Sequence, residues 1–371
     1  MALMGSTYYY YILVGWRGKG IKSVWILFIA YHHSRNVVAQ KRTIKTMAVL
    51  PAQSALLERL PQQKTNDWRD AFHANGYVVI KSAIPQDRAR AYQQEAFKWL
   101  KSFGTELDIE SPDTWTKQNL PIQSKINTFH NYAVMHEKFV WEARQEPGVL
   151  EAFSKLWGTN ELLVSFDSLN VTFPNRKDVP RKAAWQHVDQ SPFRNGLHCV
   201  QGIINLSHAG SEDGGLMVYP GSHKLFERFF ETQTEKSTWS KKDLYLFSDA
   251  QLEWYGIQPH KVCAEPGDLI LWDSRLIHYG AEPTEKSDVI RTVIYASYTP
   301  ASLASKEALE TKAEIFKQWG GTTHWPHDNI VPREKRAFRE DGTPDPKNRE
   351  EPLNKPEITD QLLKLAGVLA Y

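Results

Sequence analysis

Two stretches carry the residue types from which a metal centre could be built. In "AAWQHVDQSPF", His187 and Asp189 stand two residues apart in strand-like surroundings. Side chains at i and i+2 of a strand share a face, so this imidazole and carboxylate project together. They form two-thirds of a two-histidine, one-carboxylate facial triad, the set that holds non-haem Fe(II) and leaves three positions open. A buried histidine hydrogen-bonded to a surface aspartate would look the same locally. "EPGDLILWDSRLIHYGAEP" strengthens the metal reading, because it places His278 after an apolar strand and a turn, 89 residues beyond Asp189. His278 is the candidate third ligand, brought in from a distant strand.

Arg291 is the second anomaly. It interrupts the apolar strand "VIRTVIYASYT", and buried arginines are rare unless paired with an anion. Strand alternation puts Arg291, Val293 and Tyr295 on one face. A dicarboxylate cosubstrate would satisfy the guanidinium by a bidentate pair. An internal salt bridge to a protein carboxylate is the alternative.

The elements that must position these residues follow from patterning. "DWRDAFHANGYVVIKSAI" reads as a short helix, a stop at Gly76 and a strand over 77–81. "PQDRARAYQQEAFKWLKSFG" is an amphipathic helix, with Pro85 at its start and Gly104 just past its end. Another helix spans about 148–157. The pattern then turns to β, with strands expected over 162–173, 184–190, 197–206 and 215–219. After a helical insert at about 225–255, more are expected over 260–265, 268–273, 276–279 and 289–298. Eight strands punctuated by Gly, Pro, Asn and Asp suit a sandwich or barrel better than alternating βαβ units. Helix returns after Ala301, then a charged, proline-rich loop over 326–356 and a last helix near 358–369. The expected fold class is mainly β with flanking helices.

In their order, "WQHVDQ", "GGLMVYPGSHK", "PGDLILWDSRLIHYG" and "VIRTVIYASY" make the chain resemble the phytanoyl-CoA dioxygenase family of Fe(II)/2-oxoglutarate-dependent oxygenases. The resemblance runs from about residue 160 to 300. It implies a double-stranded β-helix, a jelly-roll or cupin-like barrel, with iron held by His187, Asp189 and His278. It also implies 2-oxoglutarate anchored at its distal carboxylate by Arg291, and O2 as oxidant. Thirteen residues separate His278 from Arg291, slightly more than is usual in such enzymes, and the turn "EPTEKSD" absorbs the excess. The implied reaction releases succinate and CO2 and hydroxylates a small organic substrate; retention of Asp189 argues against halogenation. Gln190 either hydrogen-bonds 2-oxoglutarate or caps the strand. Two other readings are a non-catalytic metal- or 2-oxoglutarate-binding barrel and a cupin-type metalloenzyme that does not use 2-oxoglutarate; Arg291 within a strand speaks against the latter.

Other residues read as bystanders. His198, His208 and His260 lack a carboxylate at i+2, His223 braces the helix that follows it, and His324 and His327 fall in a loop with Pro326. The loop "FPNRKDVPRK" offers Arg176, Lys177, Arg181 and Lys182, either as a solvated segment or as a contact for an anionic substrate group. Trp185, Phe193, Trp272 and Tyr295 could line an apolar pocket or simply pack the core.

Composition sets the limits. With 45 Lys+Arg against 43 Asp+Glu, net charge +2, the chain offers no broad basic face for nucleic acid or acidic membrane. Its two cysteines, Cys199 and Cys263, read as free thiols of a reducing compartment, the cytoplasm. Leu369-Ala370-Tyr371 is not an SKL-type peroxisomal address. Near the N-terminus, "YYYYILVGW" and "VWILFIAY" are too short to span a bilayer and are split by "RGKGIKS". No stable membrane insertion is expected, although these runs could associate weakly with a surface. Regular patterning begins near Met47, so 1–46 reads as an extension of doubtful function and 47–371 as a single dioxygenase domain.

Overall fold

A computed structural model describes residues 64–371. The expected extension and the start of the expected domain at Met47 therefore lie outside the described residues. Among the described residues, no helix is long and apolar enough to cross a membrane.

The first elements follow from local chemistry. Asp67 caps helix α1 (Trp68–Asn75) by accepting from the Arg69 amide, and Gly76, at φ 80°, closes it. That left-handed geometry costs glycine little. A side chain there would also drive a Cβ to 2.5 Å from His223 Nδ1. Strand β1 (Tyr77–Ile80) follows. In α2 (Gln86–Lys101), Ala89, Tyr92, Ala96, Phe97, Trp99 and Leu100 are buried, the i, i+3, i+4, i+7 stripe of a helix lying on a core. Next come β2 (Thr128–Phe129), α3 (Lys138–Arg144), α4 (Pro147–Trp157) and β3 (Leu162–Val164).

The remaining strands are β4 (Leu169–Thr172), β5 (His187–Val188), β6 (Val200–Asn205), β7 (Gly215–Val218), β8 (Tyr245–Leu246), β9 (His260–Lys261), β10 (Leu269–Asp273), β11 (His278–Ala281), β12 (Arg291–Tyr295) and β13 (Tyr298–Pro300). Two antiparallel sheets form, in the orders β1-β10-β6-β12-β4-β2 and β8-β5-β11-β7-β9, while β13 pairs with β3. Along the chain β4, β5, β6 and β7 alternate between the sheets, as do β9, β10, β11 and β12. This is the winding of a double-stranded β-helix. Helices α5 (Phe226–Gln233) and α6 (Asp249–Tyr255) interrupt it, and α7 (Lys306–Lys317) and α8 (Asp360–Leu365) follow it.

Three apolar clusters hold these layers. Between the sheets, Ile203, Ile270, Trp272 and Val293 meet Leu216, Val218 and Val262. Outside the larger sheet, Phe97, Trp99 and Leu100 of α2 pack with Leu169, Val171, Ile204, Leu271 and Ile294. Outside the smaller sheet, Phe226, Phe229, Phe230 and Tyr255 cover Val188, Tyr219 and Ile277. Each fully buried side chain of this size contributes ~1.5–3 kcal/mol.

Several sequence expectations are revised. The strand expected over 162–173 is two strands, broken at Ser165–Ser168, and the one expected over 184–190 narrows to His187–Val188. The helical insert also contains β8, which extends the sheet beside the candidate ligands. Finally, β1 and β2 enter the larger sheet from outside the 160–300 core.

Candidate metal centre

β5 and β11 lie side by side and antiparallel, and their register places His278 directly opposite His187. Facing positions on neighbouring strands hold their Cβ atoms ~4.5–5.5 Å apart, so the imidazoles converge, with ring centroids 4.3 Å apart. Asp189 follows β5 as the chain leaves the sheet, and its amide donates to Ser274 O at 2.9 Å. Ligand atoms of His187, Asp189 and His278 all lie within 4.8 Å of one another, and all three residues are buried. Asp189 Oδ2 is 3.6 Å from His187 Nε2 and 3.2 Å from His278 Nε2. Donors ~2.1 Å from a shared ion at right angles sit ~3 Å apart, so the set fits one cation with little movement.

The surroundings orient these donors. His187 Nδ1 donates to Trp185 O at 2.9 Å, and His278 Nδ1 to Leu276 O at 2.9 Å. Because a carbonyl only accepts, both rings carry the proton on Nδ1 and present bare Nε2 atoms, as metal-binding histidines do. The Trp185 ring stacks on His187 at 4.0 Å and 10°. Gln201, on β6, donates from Nε2 to Asp189 Oδ2 at 2.8 Å. Burial alone would raise the Asp189 carboxyl, but the imidazoles of His324, His187 and His278 gathered around it hold it well below the usual range. Burial and the neighbouring His187 push the His278 imidazole down, favouring its neutral, ligating form.

A cavity of about 380 Å³ opens above the three residues. Trp185, Ile203, Leu216, Trp272 and Tyr295 give it apolar walls, and Arg291 also lines it. The alternation of β12 explains that placement: Arg291 and Tyr295 point inward with Val293 between them in the inter-sheet core. Only 6% exposed, Arg291 donates from one Nη to Asn170 Oδ1 at 3.1 Å, while its Nε has no partner. Among the described residues no ion pair to a protein carboxylate forms there. The cavity mouth is mixed: Ile126 and Leu244 are apolar and over 40% exposed, and Lys182 pairs with Glu282 at 3.3 Å.

Gln190 does not line this cavity. Like Asp189 it follows the end of β5, and its side chain is wholly engaged within the fold. Its Nε2 donates to Arg194 O and Gly196 O, and its Oε1 accepts from Ser274 Oγ. The structure thus corrects the cosubstrate reading of Gln190 to a brace for the loop after β5. Arg194 secures that loop further. It bonds Asp243 and Asp328, each at 2.8 Å, and lies 4.5 Å over the Trp325 ring.

Of the basic loop residues, only Lys182 lines the cavity; Arg176 pairs with Asp178 and Arg181 donates to Pro283 O. Phe193 is 45% exposed and packs edge-on against Trp239, away from the cavity. His198 bonds Asn195 O, His208 pairs with Glu265, and His223 bonds His73 O. Sequence reasoning missed Gln201, although the alternation of Val200–Asn205 puts Gln201 on one face with Ile203, a polar residue where an apolar one is expected. It also set aside His324, which lines the cavity and keeps its Nε2 buried and unpartnered. His324 arrives on a loop tied down by Thr322, which bonds Phe166 in both directions, and no spacing rule announces it. A larger depression of about 630 Å³, lined in part by Leu150, Lys155, Lys364 and Tyr371, offers neither histidine nor cysteine.

The chain is similar to several known proteins. A protein of Aspergillus versicolor named "Ava biosynthesis cluster protein O" is 39% identical over 275 residues, 72% of this chain and 88% of that protein. A "Putative phytanoyl-CoA dioxygenase" of Dictyostelium discoideum is 23% identical over 248 residues, 56% of this chain and 68% of that protein. Among solved structures, EctD from S. alaskensis with 2-oxoglutarate and 5-hydroxyectoine is similar at TM-score 0.45 and 16% identity, over 81% of this chain and 93% of that one. The epimerase SnoN with Fe3+, alpha ketoglutarate and nogalamycin RO is similar at TM-score 0.45 and 18% identity, over 67% and 85%. The family model for phytanoyl-CoA dioxygenase (PhyH) matches residues 72–292, a span that holds all three candidate ligands and Arg291. By that match the chain belongs to the phytanoyl-CoA dioxygenase (PhyH) family of non-haem iron and 2-oxoglutarate oxygenases.

Proposed function

We propose that this protein is an Fe(II)- and 2-oxoglutarate-dependent dioxygenase that hydroxylates a small organic substrate, with release of succinate and CO2. The observation that carries the reading is Arg291, a buried guanidinium with no carboxylate partner that opens into the cavity holding the three candidate ligands. A barrel that used the metal alone would have no call for this charge. His187, Asp189 and His278 would hold the iron. When bound, the iron and 2-oxoglutarate supply the oxidising chemistry, using O2.

The chain's own residues perform the rest. Arg291 would hold the distal carboxylate of 2-oxoglutarate by a bidentate pair. Asn170, which accepts from Arg291 and from Thr172 Oγ1, keeps the guanidinium from turning away. Gln201 holds the Asp189 carboxylate in one orientation, while the Trp185 stack fixes the plane of His187. The apolar walls exclude water and guide a substrate C–H bond toward the centre. The apolar and charged groups of the mouth favour a substrate with an apolar body and a few polar groups. The relative named as a biosynthesis cluster protein supports a small metabolite.

Substitution of the ligands tests the assignment. His187→Ala, Asp189→Ala and His278→Ala should each greatly weaken Fe(II) binding measured anaerobically, and each should abolish turnover. His198→Ala and His208→Ala should bind Fe(II) as the parent does. Undiminished Fe(II) binding and activity in His278→Ala would overturn the ligand set.

A further inference from the structure

Close to Arg291 lies a second cation, Lys261, which does not itself line the cavity. β9 pairs with β7 so that Lys261 faces Met217, and the lysine side chain reaches to Gly215, which lines the cavity. A Cβ built at Gly215 would lie 3.0 Å from Lys261 Nζ and 3.9 Å from Arg291 Nε, so the two cations are within about 7 Å of each other. Glycine makes this approach possible, since a side chain there would stand in the gap between them.

Among the described residues neither cation forms an ion pair with a carboxylate. Lys261 Nζ donates to Asp213 O, a neutral carbonyl, and Arg291 donates to the neutral Asn170 Oδ1. The Asp213 carboxylate is engaged elsewhere, accepting from Ser287 Oγ at 2.7 Å and Gly210 N at 2.8 Å and facing His208. Burial and the Arg291 charge push the Lys261 ammonium down to about 8. Like charges held this close within a fold repel, and an arrangement of this kind is expected where an anion will sit between them.

We infer that Lys261 is a second cation of the cosubstrate pocket, acting with Arg291 on the distal carboxylate of a 2-oxo dicarboxylic acid. The inference rests on the 2-oxoglutarate reading above. Lys261 is a binding residue that makes the pocket prefer 2-oxo dicarboxylates to 2-oxo monocarboxylates, and it lies outside the set of residues that contact the metal ligands.

The experiment is an anaerobic titration of the full-length Fe(II) protein with 2-oxoglutarate and, separately, with 2-oxobutyrate, which lacks the distal carboxylate. Binding is followed by the metal-to-ligand charge-transfer absorption. Lys261→Met should raise the Kd for 2-oxoglutarate about tenfold, about 1.4 kcal/mol, and leave that for 2-oxobutyrate within twofold. An unchanged 2-oxoglutarate Kd, or equal weakening for both acids, would overturn the inference; equal weakening would mean that Lys261 merely supports the Asp213 turn. Arg291→Ala, run beside it, separates the two claims. Arg291 dependence without Lys261 dependence rejects only the second cation, whereas loss of neither rejects the cosubstrate reading itself.

A measurement free of charge-removing variants covers the case in which Lys261→Met does not fold. The charged and titratable neighbours of Lys261 are Arg291, Asp213 and Cys263, so the protein is used as Cys263→Ser. As pH rises from 7 to 9 the lysine loses its proton, and 2-oxoglutarate affinity should fall while 2-oxobutyrate affinity holds. Parallel pH profiles for the two acids would overturn the inference.

Discussion

Replacing Arg291 by alanine deletes the main charge that, on this account, meets the cosubstrate. The guanidinium is only 6% exposed, and its one hydrogen-bond partner among the described residues is a neutral amide oxygen. In the complex, removing one member of a buried charge pair costs ~3–5 kcal/mol, or about two to three and a half decades in affinity at ~1.4 kcal/mol per decade. The Kd for 2-oxoglutarate should rise by that factor, while Fe(II) affinity, which depends on residues of β5 and β11, should hardly change. In the ligand-free protein the expectation reverses. An unpartnered buried Nε already costs ~1–3 kcal/mol, so Arg291→Ala should keep its urea midpoint or gain slightly. Arg291→Lys should restore only part of the affinity, because an ammonium lacks the planar two-donor fork. Anaerobic titration and urea unfolding of the same preparations read both sides. An Arg291→Ala protein with parental 2-oxoglutarate affinity and several kcal/mol less stability would refute the reasoning and restore the internal salt bridge.

Three further outcomes follow from the same geometry. Gln201→Leu removes the hydrogen bond that orients Asp189 and should weaken Fe(II) binding ~10–100-fold, read by competition with a chromogenic chelator. His136 is buried, accepting at Nδ1 from Trp141 and donating from Nε2 to Gly320 O, and burial pushes it down to about 3. The unfolded chain therefore binds the proton first as pH falls below ~6.5, and stability should drop by about 2 kcal/mol from this group alone by pH 5. Urea midpoints at pH 7 and pH 5 check it, with His136→Gln expected to flatten the dependence. A chain beginning at Met47 should fold and bind Fe(II) as the full chain does, which circular dichroism and an Fe(II) titration would show.

The parts of the site legible in sequence are those governed by strand alternation. His187 and Asp189 share a face because they are two apart, and Arg291 stood out because an apolar strand cannot leave it uncharged or unmet. His278 needed more, namely the barrel register that sets it opposite His187. Gln190 stayed open between two roles because its partners, Arg194 O, Gly196 O and Ser274 Oγ, are set by the path of the loop after β5 and not by strand alternation. Lys261 escaped notice because its part depends on an absent side chain at Gly215, and His324 because it comes from a loop after the barrel. The short β5 and β8 were misread for a different reason. Two-residue strands hold by tertiary pairing rather than propensity, and local patterning carries no trace of that.

The central claim, that this fold couples 2-oxoglutarate and O2 to substrate oxidation at His187, Asp189 and His278, has one direct measurement. Fe(II) protein is given 2-oxoglutarate and O2 with a metabolite library, while succinate, O2 consumption and product mass are followed. The account predicts succinate formed in step with O2 uptake, a product heavier by one oxygen atom, and loss of both in Asp189→Ala. Equal succinate formation by Asp189→Ala, or an oxidised product formed with no requirement for 2-oxoglutarate, would contradict it.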